Sequence, residues 1–169
     1  MGALTSILDA LFLAYFIIHI PTTLLVDSQS VLPADWFPSW AREMLQWHIK
    51  TNGDHLVSSN PVWFVSMVWC ETVLQMPFFF VAAWAFIKKA NWIRIPCIIY
   101  GSHVATTMVP ILGDILFGPE SGPNKHVLAA IYVPYLIVPV LLVIRMAAAE
   151  KPWASTGAGK RRGGKSKAQ

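Results

Sequence analysis

Charge is the scarcest property of this sequence: Asp, Glu, Lys and Arg make up 13% of its 169 residues, against 55% that are hydrophobic. A water-soluble domain carries about twice that charged fraction, so the composition is that of an integral membrane protein. Cysteine is nearly absent. Cys70 and Cys97 are the only two, and both fall in apolar runs where a thiol behaves as a small hydrophobe, which excludes a disulfide framework or a cysteine metal site. No cofactor, metal or nucleic-acid partner is expected. No Asn-x-Ser/Thr acceptor occurs, so glycosylation offers no clue to topology. Neither Lys nor Arg precedes the first apolar run, and no small-residue cleavage pattern follows it at Val26, Asp27, Ser28 and Gln29. That run is read as a retained helix rather than a signal peptide.

What the sequence has is length without charge. A helical span needs about 20 apolar residues, and four stretches qualify: 7–26, 62–87, 93–117 and 127–146. The expected fold is all-α, a four-transmembrane-helix bundle over residues 7–146, followed by a basic tail over 147–169 whose Gly, Ser and Ala content predicts disorder. Four spans put both termini on one side. Of the thirteen Lys and Arg residues only Arg42, Lys50 and Lys125 fall on the opposite side, and Lys88, Lys89 and Arg94 in a short connection carry most weight, so the termini are expected to be cytoplasmic. Lys167 and Lys165, the third and fifth residues from the carboxyl terminus, look like a dilysine signal for retrieval to the endoplasmic reticulum. Electrostatic adhesion to anionic lipid is the simpler reading of the same charges.

The long connection 28–60 then faces the lumen. Trp36, Phe37, Trp40, Met44 and Trp47 recur there at spacings of three and four from Trp40 on, which predicts a short helix in the membrane interface or a lid packed over the bundle. Asn52, Gly53 and Asp54 read as a turn before the second span.

Every span contains proline: Pro21, Pro77, Pro96, Pro110, Pro134 and Pro139. Each removes a backbone donor and tends to kink its helix, and kinks in all four favour a bundle splayed around an internal cavity. Polar side chains fall on shared faces. Glu71 and Gln75 are four apart; His103, Thr107, Pro110 and Asp114 follow one stripe; Tyr132, Tyr135 and Pro139 follow another; His19 lies two turns from Asp27. Gln, Thr, Tyr and His serve equally well as hydrogen-bonding glue between helices. The acids are different, because a carboxylate in hydrocarbon is far dearer than a hydroxyl. Glu71 lies nine residues into its span, on the order of 13 Å deep. If Asp27 and Glu71 approach each other, repulsion and desolvation make them titrate as a unit with one proton retained. One negative charge at the mouth of an apolar cavity is a receptor for an amphiphilic cation. Asp27 alone, at a loop edge, reads equally as a carboxylate in water.

These residues also carry a pattern. Tyr15, His19 and Pro21, then Asp27, Gln29, Val31 and Pro33, then Cys70, Glu71, Gln75 and Pro77, then Trp92, Arg94, Tyr100, His103, Thr107 and Pro110, and finally Tyr132, Pro134 and Tyr135, stand in the order and near-constant spacing of the sigma-2 receptor family. The sequence resembles that family from about Tyr15 to Leu142. The family belongs to the EXPERA group with the emopamil-binding sterol isomerase, and its members are endoplasmic-reticulum proteins of sterol handling and cationic-drug binding. The resemblance implies that Asp27 is the counter-ion of a ligand amine and that Glu71 hydrogen-bonds to it. It further implies pocket roles for His19, Gln75, Thr107, Tyr132 and Tyr135, apolar walls at Val26, Phe64 and Ile131, a loop contribution from Asp54, and a homodimer. Met67 replaces an aromatic wall residue, and the segment from Gly118 to Lys125 is shorter than in animal members.

Three functions follow as expectations. The first is a non-enzymatic protein that binds sterols and cationic amphiphiles. The second is a sterol double-bond isomerase, which needs an acid and a base across a flat substrate, with Glu71 and His103 as candidates by type. The third is a scaffold for a sterol-transport protein.

Overall fold

In a computed structural model, described for residues 2–153, the four apolar stretches are helices long enough to cross a membrane: Ala3–Ser30, Val62–Lys88, Asn91–Phe117 and Lys125–Ala147. The chain is a multi-pass membrane protein, and the described residues are all-α. The first stretch is helix α1 (Ala3–Leu25) followed by a 3₁₀ turn over Asp27–Ser30. The connection after it forms α2 (Ser39–Asn52) and α3 (His55–Ser59). The second span is α4 (Val62–Cys70), a π-helical turn (Glu71–Gln75) and α5 (Met76–Lys88). The third is α6 (Arg94–Phe117), and the fourth is split into α7 (Lys125–Tyr132) and α8 (Pro134–Ala147).

The prolines act unequally. Pro134 marks the break between α7 and α8, and Pro77 is the second residue of α5, just past the π turn, whereas Pro21, Pro110 and Pro139 lie within helices that continue through them. At Pro77 the missing N–H deprives the carbonyl four residues earlier of its partner. The wide turn ahead of it, closed by Met76 N–H on the Glu71 carbonyl, accommodates the mismatch, and such π turns recur at functional sites.

Lipid is as apolar as leucine, so helices in a membrane gain little by hiding apolar surface and are held by close packing and polar contacts. Both occur here. α1 packs on α5, and α6 on α8. Phe16 is fully buried, with ring centroids 5.8 Å from Phe86 and 5.5 Å from Tyr100, and aromatic pairs of this kind contribute about 0.5–1.5 kcal/mol each. Small residues bring backbones together, with Ala82 and Ala85 buried on α5 and Gly101 pressed on Pro139 of α8.

The end of the bundle that holds the start of α1 is clamped by charge. Arg145 is buried, its Nε 3.2 Å from Asp9 Oδ1, and it donates from Nη2 to the Pro152 carbonyl at 3.1 Å. Trp153 donates from its indole to Asp9 Oδ2 at 2.7 Å and from its backbone to Asn91 Oδ1 at 3.0 Å. The boundary drawn at residue 147 for a disordered tail is therefore corrected: Pro152 and Trp153 are docked, because the indole has both an acidic acceptor and the ring of Phe86 to pack on. The proposed retrieval lysines, Lys165 and Lys167, lie outside the described residues.

Candidate functional site

At the other end the helices enclose a cavity of about 240 Å³, well over ten times the room one water needs. Tyr15, His19 and Thr23 on α1 and Asp27 at the start of the 3₁₀ turn that follows are spaced by four, so one stripe carries them all toward the second span. Tyr15, His19, Val26 and Asp27 reach the wall. Across from them the π turn presents both Glu71 and Gln75 to the same space, with Met67 one turn and Phe64 two turns earlier on α4. α6 contributes Thr107 among apolar neighbours; α7 contributes Ile131 and Tyr132, and α8 Tyr135. All ten side chains expected to bind ligand thus meet in one cavity.

The acids are joined through a residue that the sequence reading passed over. Thr23 is fully buried, and its hydroxyl donates to Glu71 Oε1 at 2.6 Å while standing 3.4 Å from Asp27 Oδ2. Asp27 and Glu71 are thereby gathered at one buried hydroxyl. Among the described residues no Lys or Arg lines the cavity and no ion pair involves either acid. A cation of suitable shape would find its counter-charge here and nowhere else on the wall. At the floor, His19 lies 3.9 Å from Tyr15, ring to ring, and shares a hydrogen bond of 2.8 Å between its Nδ1 and the Tyr15 carbonyl.

Asp54 stands behind the wall rather than on it. It caps α3 by accepting from Val57 N–H at 3.1 Å, and its other oxygen accepts from Tyr132 Oη at 2.7 Å and His48 Nε2 at 3.0 Å. Asn52 Nδ2 lies 2.9 Å from His48 Nδ1, so a neutral imidazole with its proton on Nε2 satisfies both contacts. Burial alone would push the Asp54 carboxyl up, but the bonds from His48, Tyr132 and Val57 outweigh it and hold the group below its ordinary value. The folded chain therefore binds fewer protons than the unfolded one as pH falls toward the ordinary Asp value of about 3.9. Stability from this group is complete above that value and is lost as pH falls through the folded one. Thermal unfolding in detergent should show a midpoint that drops on acidification below about pH 4, and an Asp54→Asn protein should begin lower at neutral pH and show a shallower acid slope.

Two expected alignments fail. Of the stripe His103, Thr107, Pro110 and Asp114, only Thr107 lines the cavity. The α6 residues that do so, Tyr100, Val104, Thr107, Met108 and Ile111, define a face to one side of His103. Asp114 instead meets His55 of α3, Nε2 to Oδ2, at 3.3 Å. Pro139 likewise packs against Gly101 rather than facing the cavity. In exchange the loop contributes Leu45 and His48 of α2, and Tyr100 joins the floor, none of them expected. The four-residue spacing from Tyr15 to Asp27 was signal enough to find Thr23. The short helix expected in the 28–60 connection is α2, and it does lie over the cavity, but the aromatic spacing that announced it did not single out Leu45 and His48 as the residues that face inward.

A helical membrane protein enclosing a largely apolar cavity with two carboxyl groups on its wall is a class with known members. Residues 40–146 match the EXPERA family, the EXPanded EBP superfamily, and the chain belongs to that family. Among its relatives, sigma intracellular receptor 2 of Xenopus tropicalis is 46% identical over 156 residues, 86% of this chain and 91% of the relative. The Homo sapiens protein of the same name is 41% identical over 145 residues, 78% of this chain and 82% of the relative. The Saccharomyces cerevisiae protein named efficient mitochondria targeting-associated protein 19 is 32% identical over 152 residues, 78% of this chain and 92% of the relative.

Proposed function

We propose that this chain is a non-enzymatic receptor of the endoplasmic-reticulum membrane, one that takes a sterol or a cationic amphiphile into the cavity and serves sterol homeostasis. The observation that carries the reading is the meeting of Asp27 and Glu71 at the buried Thr23 hydroxyl, on a wall to which no Lys or Arg among the described residues contributes. Asp27 keeps the negative charge for an amine, Glu71 holds it in place, and Val26, Phe64 and Ile131 supply apolar contact. The receptor name shared by two relatives supports the same direction.

The isomerase reading rests on membership of a superfamily named for EBP. It is weakened by His103, which was to supply the second proton-transfer group and does not line the cavity. A direct test uses purified protein in nanodiscs, titrated with a dansylated alkylamine and, separately, with a fluorescent hydroxysterol. Saturable binding of at least one is expected, and binding of neither would sink the receptor. Cells lacking the protein are expected to keep a normal ratio of sterol double-bond isomers; accumulation of the unisomerised form would make the chain an enzyme.

A further inference from the structure

Helix α2 has three faces where an ordinary surface helix has two. Successive side chains turn by about 100°, and on that wheel Ala41, Leu45, His48 and Asn52 fall in one sector. Leu45 and His48 line the cavity, and every side-chain hydrogen bond that fastens the helix to the rest of the fold ends near this sector or beside it. Gln29 donates to the Ala41 carbonyl at 3.1 Å, His48 binds Asp54, and Asn124 donates to the Thr51 carbonyl at 3.3 Å. Arg42, Glu43, Gln46 and Lys50 fill a second, exposed sector. Trp40, Met44 and Trp47 fill the third, and they are 55%, 43% and 63% exposed.

A helix wholly in water has no use for a sector of two tryptophans and a methionine set apart from its charged face. A helix packed fully into the bundle would have turned that sector inward. Three sectors suit one position: at the rim of the bundle, along the plane of the interface, with charge toward water, Leu45 toward the cavity and the aromatics sideways into lipid. The connections agree, because α2 is strung between the end of one span and the start of the next. Tryptophan is the residue type that settles at headgroup depth, where its apolar ring and polar N–H are both satisfied.

We infer that the Trp40, Met44 and Trp47 face of α2 is a lipid-binding surface, and that its hold on the upper leaflet keeps Leu45 and His48 closed over the cavity as a bilayer-anchored lid. Access to the cavity is then governed by the lipid around the lid as well as by the protein beneath it. This extends the proposed receptor reading but does not need its ligand.

The test uses the full chain with Cys70→Ser and Cys97→Ala, reconstituted in phosphatidylcholine nanodiscs, with one new cysteine at a time. An NBD fluorophore on Met44→Cys should be quenched by lipid carrying a nitroxide at the top of its acyl chain and protected from aqueous iodide. The same fluorophore on Gln46→Cys should behave in the opposite way. Quenching of the Met44 position by iodide but not by lipid would overturn the inference. So would protection from both with disulfide cross-linking between copies, which would give this face to a second copy of the chain. For the lid, Leu45→Cys should react slowly with a charged methanethiosulfonate and several-fold faster once Trp40→Ser and Trp47→Ser are added. Those two side chains are exposed, so the fold should survive their loss, as size-exclusion chromatography would verify. An unchanged Leu45→Cys rate in that well-folded variant refutes the lid. None of these readouts depends on ligand binding, so they stand even if neither the amine nor the sterol binds.

Discussion

The Asp27→Asn protein is expected to lose about 30-fold or more in affinity for an amphiphilic amine, equivalent to at least about 2 kcal/mol, while its affinity for an uncharged hydroxysterol changes little. The asymmetry follows from what the cavity offers. Its wall has two carboxyl groups gathered at one hydroxyl, and Thr23 makes its short bond to Glu71, at 2.6 Å, while Asp27 stands 3.4 Å away. The group left to meet a cation is Asp27. An amide there keeps the shape and loses the charge, so an ammonium would enter an apolar space with no counter-ion. Glu71→Gln should cost less, about fivefold, because a glutamine oxygen still accepts from Thr23 and its amide can donate to Asp27. Relieved of a buried charge, the Asp27→Asn protein should unfold at the same temperature as the parent or higher. Lost binding in a well-folded protein therefore separates a ligand counter-ion from a carboxylate that serves assembly. Equal amine affinity in parent and variant would remove Asp27 from the site.

Much of this geometry was written in single residues whose cost could be judged without a structure. Glu71 declared a polar cavity by its depth, and Asp27, His19, Tyr132 and Tyr135 fell into place by helical spacing. Spacing misled on α6. At about 100° per residue His103, Thr107, Pro110 and Asp114 do share one narrow face, but the face of α6 that meets the cavity is turned roughly 75° from it. Only Thr107 overlaps the true lining. Pro77 announced a disturbed helix but not its form, because a missing N–H is accommodated as readily by a kink as by the π turn that brings Glu71 and Gln75 to one wall. The contribution of α2 depends on contacts made by Gln29, Asp54 and Asn124 across the fold. No local pattern of apolar residues encodes such contacts.

The second large effect is expected at a residue with no side chain. A Cβ placed on Gly101 would lie 2.7 Å from Val143 Cγ2 and 2.8 Å from the Pro139 carbonyl oxygen, closer than non-bonded atoms tolerate. The valine methyl can rotate away. The carbonyl cannot, because it is the backbone of α8 at Pro139. Gly101→Val must therefore push α6 and α8 apart along the interface that holds the third and fourth spans together. In water such a shift would be offset in part by hydrophobic pressure to stay closed, but lipid fills the gap without penalty. Overpacking typically costs about 1–3 kcal/mol, and the value here should reach or exceed the top of that range. Gly113 lies on the same helix with nothing near its Cβ position, so Gly113→Val measures the cost of a β-branched residue alone. Thermal unfolding of the two proteins in one detergent should show a large loss for Gly101→Val and a small change for Gly113→Val; equal midpoints would mean that the α6 and α8 backbones are not in contact. Because Tyr100 on one side of Gly101 and Val104 on the other line the cavity, the same displacement should also weaken sterol binding, and that loss should appear even at temperatures where Gly101→Val remains folded.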